Sequence, residues 1–303
     1  MSEPSKQEKL SDLGEEGVVR RLVTGLRQGD EVLVGPGDDC AVVDAGGDDL
    51  LLLKTDAVVE GVHYLAETEA ARVGWKAAAR VVSDFGAMGG EPRELMVTVA
   101  AAGSVAMSWV EGLYEGLTRC ADRFGASIVG GETVGLPDGA ATVISISGTG
   151  RVRRDGYVTR AGGQVGDLLW VTGCLGGSFQ SEHHLDFMPR VEVGKWLAKR
   201  ATAMMDLSDG LRRDLPRLAE ASGCGFKVER EALPCQEGCS AEQALGDGED
   251  MELLFSAPRG EWVEEFGQVF PQLELTCIGR LRAKGEGGVG ADLGAGGWEH
   301  FSD

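Results

Sequence analysis

The stretch VGWKAAARVVSDFGAMGGEPRELMVTVAAAGSVAMSWVEGLYEGLTRCADRFGASIV, residues 73–129, decides the fold class. Val73, Ala77, Val81, Phe85 and Met88 fall on one face of a helix, and Gly89-Gly90 ends it, because glycine readily takes the left-handed conformation at a helix C-terminus. Leu95 to Ala101 is an apolar run of strand length. Ala106, Trp109, Val110, Leu113, Leu117, Cys120, Ala121 and Phe124 then recur at spacings of three and four, the cleanest amphipathic helix in the chain. Ser127 to Val129 predicts a further strand. Helices and strands alternating in this way give an α/β (α+β) reading.

The same style extends outward. Upstream, Val18, Val19, Leu22, Val23 and Leu26 predict an opening helix after Ser11 and Asp12, and Leu50 to Thr55 reads as a buried strand followed by an acid. Downstream, Thr142 to Ser147 completes a first unit. From Arg151 to Asp167 the chain turns polar and rich in glycine, which is where a boundary is expected. Strands at Leu168 to Thr172, Phe226 to Glu229 and Leu273 to Leu281, with a helix after Ser208, predict a second unit. Pro216 should kink that helix or delay its start, since an interior proline loses a hydrogen bond and clashes with the preceding turn. The expectation is two domains, 1–150 and 151–303, with mixed sheets flanked by helices.

Composition narrows the function classes. The 303 residues carry 29 Lys and Arg against 49 Asp and Glu, a formal charge of −20. Such a surface repels nucleic acid and anionic lipid, whose binding depends on cationic side chains, so neither is expected as a partner. Met1 to Lys9 is polar and lacks the apolar region of a secretory signal, which favours a cytoplasmic location. The most apolar stretch, Leu95 to Met107, is interrupted and falls short of the ~20 residues a membrane helix needs. Seven scattered cysteines, an odd number, read as reduced packing residues.

The chemistry signal is a set of carboxylates at the ends of apolar segments, each beside a small residue: Asp38-Asp39, Asp56, Asp84, Glu132, Asp206 with Asp209, and Glu249-Asp250. An acid at a strand tip puts a hard oxygen ligand where loops converge, and several together suit Mg²⁺. Gly35-Pro36-Gly37 and Gly130-Gly131 would let backbone N–H groups approach a phosphate, although glycine pairs also make plain turns. Neither a P-loop nor a G-x-G-x-x-G turn is present, so a nucleotide site here would have to be held by metals.

The order of motifs resembles the thiamine-monophosphate kinase family, within the ATP-binding superfamily that includes aminoimidazole-ribonucleotide synthetase and selenophosphate synthetase. It is carried by GPGDDCAVV (35–43), KTDAVVEGVH (54–63), VVSDFGAMGGEP (81–92), IVGGETV (128–134), TRAGGQVGD (159–167), MDLSDGLRRDL (205–215), GDGEDMELLF (246–255) and GWEHF (297–301). The resemblance implies ATP-dependent phosphorylation of thiamine monophosphate with several Mg²⁺ per site. It also implies a homodimer pairing through the N-terminal sheets, and an active site in a cleft between domains. Carried over position by position, it makes Asp39, Thr55, Asp56, Asp84, Glu132, Asp206 and Asp209 metal ligands, Gly130, Gly131, Arg160 and Ser208 ATP contacts, and His63, Glu249 and Trp298 contacts of the thiamine portion or its phosphate.

Departures from the family pattern leave two competing readings, a relative acting on another phosphorylated acceptor and a non-catalytic nucleotide-binding protein. Glu132-Thr133-Val134 stands where the family has Asp-Thr-Thr, Met251 where it has Tyr, and the segment from Gly177 to Met204 is shorter than usual. Lys54 stands where Ser or Thr is usual. Strand alternation should turn it to the same side as Asp56, toward the acids, with Leu53 and Thr55 on the other.

Overall fold

A computed structural model of the chain describes residues 8–286, 293–294 and 296–301. After an opening helix α1 (Leu10–Val23) come β1 (Val32–Val34), β2 (Ala41–Val43), β3 (Asp49–Val59), helix α2 (Ala70–Ala87), β4 (Glu91–Ala102), helix α3 (Met107–Phe124), β5 (Ser127–Leu136) and β6 (Val143–Arg153). The six strands form one sheet in the order β1-β2-β3-β6-β4-β5, in which only β4 and β5 are parallel. That pair is the one joined through a helix, as a parallel connection requires.

One face of this sheet is covered and the other is open. Leu50, Leu52 and Val58 of β3, Ile144 and Ile146 of β6, and Val97 and Val99 of β4 pack under α2 and α3, whereas Leu53, Met96 and Val134 are exposed. Both helices earn their place by close approach at glycines. A Cβ on Gly74 would fall 2.0 Å from the Leu113 carbonyl oxygen, and one on Gly116 would fall 1.9 Å from that of Ala71. Helix α2 is therefore buried nearly all round, between the sheet, α3 and the helices that follow.

No helix or strand lies between Arg153 and Leu168. The second sheet holds β7 (Leu168–Thr172), β8 (Ala203–Asp206), β9 (Gly225–Val228), β10 (Leu253–Ala257) and β11 (Leu275–Arg282), in the order β8-β10-β7-β11-β9. Its strands β7, β8 and β10 are buried on both faces. Leu254, Val171 and Met205 face helix α6 (Leu211–Ala221). Phe255, Trp170 and Met204 face helices α5 (Val191–Leu197) and α8 (Trp262–Val269). Two short helices complete the layer, α4 (His183–Asp186) and α7 (Ala241–Gly246).

Three expectations need correction. The second sheet is antiparallel at every pairing rather than mixed. A strand buried on both faces is a continuous apolar run whichever way its neighbours point, so the pattern carries no orientation. The strand predicted to stop at Val129 runs on through Gly130, Gly131 and Glu132 to Leu136. A bulge at Val129 brings Gly131 so close to β4 that a Cβ there would meet the Val97 carbonyl oxygen at 1.8 Å, and this explains the glycine without a ligand. Pro216 sits within α6, which starts at Leu211, ahead of the proline, and runs to Ala221.

Candidate active site

The acids at the element ends converge between the two sheets. Asp39 precedes β2, Asp84 lies near the end of α2 and Asp206 ends β8. Each offers a carboxylate oxygen within 4.8 Å of the others, and all three are buried. The Ser83 hydroxyl donates to Asp206 at 2.6 Å. Burial, together with the neighbouring acids, pushes Asp84 well above the ordinary carboxylate range and Asp206 up to about 6. Asp39 Oδ2 is buried without a hydrogen-bond partner among the described residues. Three crowded carboxylates, one with an unsatisfied oxygen, are the donor set of a hard divalent cation, and the residues present fit one such ion.

Protein cations hold the surrounding acids. Lys54 Nζ donates to Asp84 Oδ1 at 2.8 Å, Arg160 Nε to Asp39 at 3.2 Å, Arg80 Nε to Asp56 at 2.8 Å and Arg217 to Asp209 at 2.5 Å. Lys54 and Asp56 do share the covered face of β3. Burial works to raise the Asp56 pKa, but Arg80 and Lys54 outweigh it and keep the group below its usual value. Asp209 is set by the turn into α6, whose buried Asp214 accepts the backbone N–H groups of Ser208 and Asp209 at 3.1 and 3.0 Å. Asp38, which the sequence reading left without a role, accepts the Arg160 N–H and is raised to about 7 by burial and by Asp39.

Two of the metal assignments and two of the ATP assignments are not brought to this cluster. Thr55 projects from the opposite face of β3, where its hydroxyl donates to the Ile146 carbonyl at 3.2 Å. Glu132 pairs with Thr98, whose neighbours Val97 and Val99 point under the helices, so Glu132 also lies on the open face. Gly130 and Gly131 belong to the same edge strand. Arg160 and Ser208, by contrast, line a cavity of about 650 Å³ with Lys54, Asp56, Asp84, Asp206 and Asp209.

The residues assigned to the acceptor do meet. His63, Glu249 and Trp298 line a second, smaller cavity that shares Arg80, Ser208, Asp209 and His300 with the first. His63 Nδ1 accepts the Val59 N–H at 3.1 Å, and burial with Arg80 nearby lowers its pKa to about 4, so the ring is neutral at pH 7. Glu249 has a positive φ of 54° and its N–H bonds the Ser208 carbonyl at 2.7 Å. Its carboxylate is gripped by Lys76, by Arg80 at 2.8 Å and by His184 at 3.3 Å. Burial opposes ionisation, but His184, Lys76 and Arg80 bring the pKa down to about 2. The Trp298 backbone N–H donates to the Asp209 carbonyl at 3.0 Å, and the Trp298 ring stands edge-on to His300 at 5.8 Å.

Sequence reasoning missed Lys76, Arg80, His184 and Arg217. Lys76, Arg80 and Asp84 recur at a spacing of four on one face of an otherwise apolar helix, a legible signal that those side chains look into a shared polar space. His184, to which no role was given, contacts the fully buried Lys76 at 2.8 Å.

Comparison with known proteins matches residues 37–152 to the N-terminal domain of AIR synthase related proteins and residues 161–292 to their C-terminal domain. The thiamine-monophosphate kinase of Aquifex aeolicus is 32% identical over 97% of this chain and 100% of its own length. That of Salmonella typhimurium is 30% identical over 95% and 98% respectively. Among solved structures, AaThiL complexed with AMPPCP and TMP superposes with a TM-score of 0.83 at 31% identity, covering 98% of this chain and all of that one. The hydrogenase maturation protein HypE in complex with ATP shares the fold, with a TM-score of 0.65 at 20% identity.

Proposed function

The chain belongs to the thiamine-monophosphate kinase family, and from that premise we propose that it transfers the terminal phosphoryl group of ATP to the phosphate of thiamine monophosphate, giving thiamine diphosphate and ADP. One observation carries the reading: an acid-lined cavity of about 650 Å³ adjoins a narrow aromatic cleft of about 20 Å³, and the two share Arg80, Ser208, Asp209 and His300. The first suits a nucleotide held through cations. The Trp298 and His300 rings beside the second suit stacking on a flat heterocycle, which would widen the cleft as it enters.

The acceptor phosphate has a second pKa of about 6 and is largely a dianion at neutral pH, so the reaction needs no strong general base. An acceptor oxygen attacks the γ-phosphorus in line, the new P–O bond forms, and the bond to the β–γ bridging oxygen breaks with ADP as the leaving group. What the chain supplies is position and charge. Asp39, Asp84 and Asp206 would hold Mg²⁺, which when bound screens the phosphates and stabilises the charge of the transferring group. Arg160 and Ser208 face the nucleotide cavity; neutral His63 borders the acceptor without repelling its cationic portion.

We further propose that the open face of the first sheet, with exposed Leu53, Met96 and Val134, is covered by a second copy in a homodimer. Thr55 and Glu132 lie on that face and would then act at the interface. No helix among the described residues is long and apolar enough to cross a membrane, and a cytoplasmic enzyme fits a co-substrate such as ATP. The test is incubation of purified protein with ATP, Mg²⁺ and thiamine monophosphate, with thiamine diphosphate detected directly. ATP hydrolysis without that product would sink the assignment.

A further inference from the structure

Arg80 stands where the two cavities join. Its Nε is anchored by Asp56 at 2.8 Å, from the first sheet, and its Nη1 by Glu249 at 2.8 Å, from the loop before β10. Among the described residues its Nη2 has no hydrogen-bond partner, and the side chain lines both cavities. A guanidinium held on two edges by carboxylates is fixed in orientation, and its remaining N–H groups face the space a phosphate must cross. Such donors are matched to phosphate oxygens and are stronger than neutral ones.

Resting on the function proposed above, we infer that Arg80 is a phosphate-binding residue that grips the acceptor phosphate at the junction of the cavities, with Asp56 and Glu249 as its anchors. The acceptor is then recognised in two parts, its heterocycle beside the Trp298 and His300 rings and its phosphate by a side chain rather than by metal alone. Asp56 is thereby engaged by Arg80 and is not free for an ion. The competing role is a plain strut tying the two sheets together. A strut would affect every ligand alike, whereas a phosphate clamp distinguishes thiamine monophosphate from thiamine.

The experiment is titration calorimetry of thiamine monophosphate and of thiamine, each with Mg²⁺ and a non-hydrolysable ATP analogue present, on wild type and Arg80→Gln. Loss of one charge-assisted contact should weaken thiamine monophosphate binding roughly tenfold to a hundredfold while thiamine affinity stays within about twofold. Equal losses for both ligands, or no loss for either, would overturn the assignment. A wild type that binds neither ligand refutes the proposed function itself and this inference with it, an outcome distinct from a wild-type preference that survives in the variant. If Arg80→Gln does not fold, Arg80→Lys keeps the charge between Asp56 and Glu249. An ammonium engaged by both carboxylates should still forfeit most of the phosphate preference, and an unchanged preference overturns the inference.

Discussion

At the scale of single residues, the site is a contest between carboxylates crowded together and cations placed among them. Lys54 is the clearest case. Burial works against its charge, yet Asp84 and Asp56 hold its pKa above the usual lysine value. An ammonium 2.8 Å from Asp84 neutralises an oxygen that a divalent ion would otherwise use. Lys54→Thr should therefore destabilise the metal-free protein by about 3 kcal/mol, since it strands a buried charge beside two like charges. The same change should tighten divalent-ion binding, read as Mn²⁺ affinity by electron paramagnetic resonance. An unaltered Mn²⁺ isotherm would place the lysine outside the ion's reach. Asp84→Asn acts in the opposite sense on the ion: phosphoryl transfer and Mn²⁺ binding fall by at least about a hundredfold, while melting temperature changes little, because relief of the repulsion with Asp39 and Asp206 offsets loss of the Lys54 ion pair. A variant with wild-type turnover at limiting Mg²⁺ would remove Asp84 from the metal set. Asp39, Asp84 and Asp206 were legible in the sequence because each acid ends or interrupts an apolar segment. Arg80 was legible only through its spacing of four from Lys76 and Asp84, and Arg217 was not, since an arginine within a helix ordinarily reads as part of its solvated face.

At the scale of elements, the strong periodicities carried through and the weak ones did not. Helices α2 and α3 and the strand between them were legible in residues 73–129 because amphipathic spacing over 18 residues leaves little choice. Strand β8 is only Ala203–Asp206, too short for a pattern, and α4 and α7 are also short. Nor does spacing reveal that α2 and α3 touch backbone to backbone, which depends on Gly74 and Gly116 meeting carbonyls of the opposite helix. Gly116→Ala should accordingly cost about 1–3 kcal/mol or more by forcing the helices apart. Gly267 in α8 gives the contrast: among the described residues nothing lies within 4 Å of its ideal Cβ, so Gly267→Ala should stabilise by up to about 1 kcal/mol. Thermal melts of both variants measure the pair, and a neutral Gly116→Ala would mean that the helices are not locked at that contact.

At the scale of the whole molecule, a chain of charge −20 must bring together two polyanions, and the larger cavity shows how far side chains go toward this. Eight carboxylates and five cationic side chains line it, so its own balance is still negative and divalent cations remain necessary. That requirement couples metal binding to protons. Asp206 titrates at about 6 in the folded protein, raised from 3.8 by burial and by Asp39. The folded state keeps a proton there that the unfolded chain has lost, so stability from this group declines as pH rises through the window from about 4 to about 6. Asp84, shifted in the same direction, adds to the decline. Mg²⁺ binds the deprotonated carboxylates and relieves their mutual repulsion, so below the window it must displace the Asp206 proton and above it that proton is already gone. The rise in melting temperature caused by a fixed Mg²⁺ concentration should therefore be larger at pH 7.5 than at pH 5. Calorimetry in buffers of different ionisation enthalpy should show proton release on Mg²⁺ binding at pH 5.5 that is smaller at pH 7.5, where Asp206 has lost its proton. An increment independent of pH, with no proton release, would mean that Asp39, Asp84 and Asp206 are a buried acidic cluster and that the cation binds elsewhere.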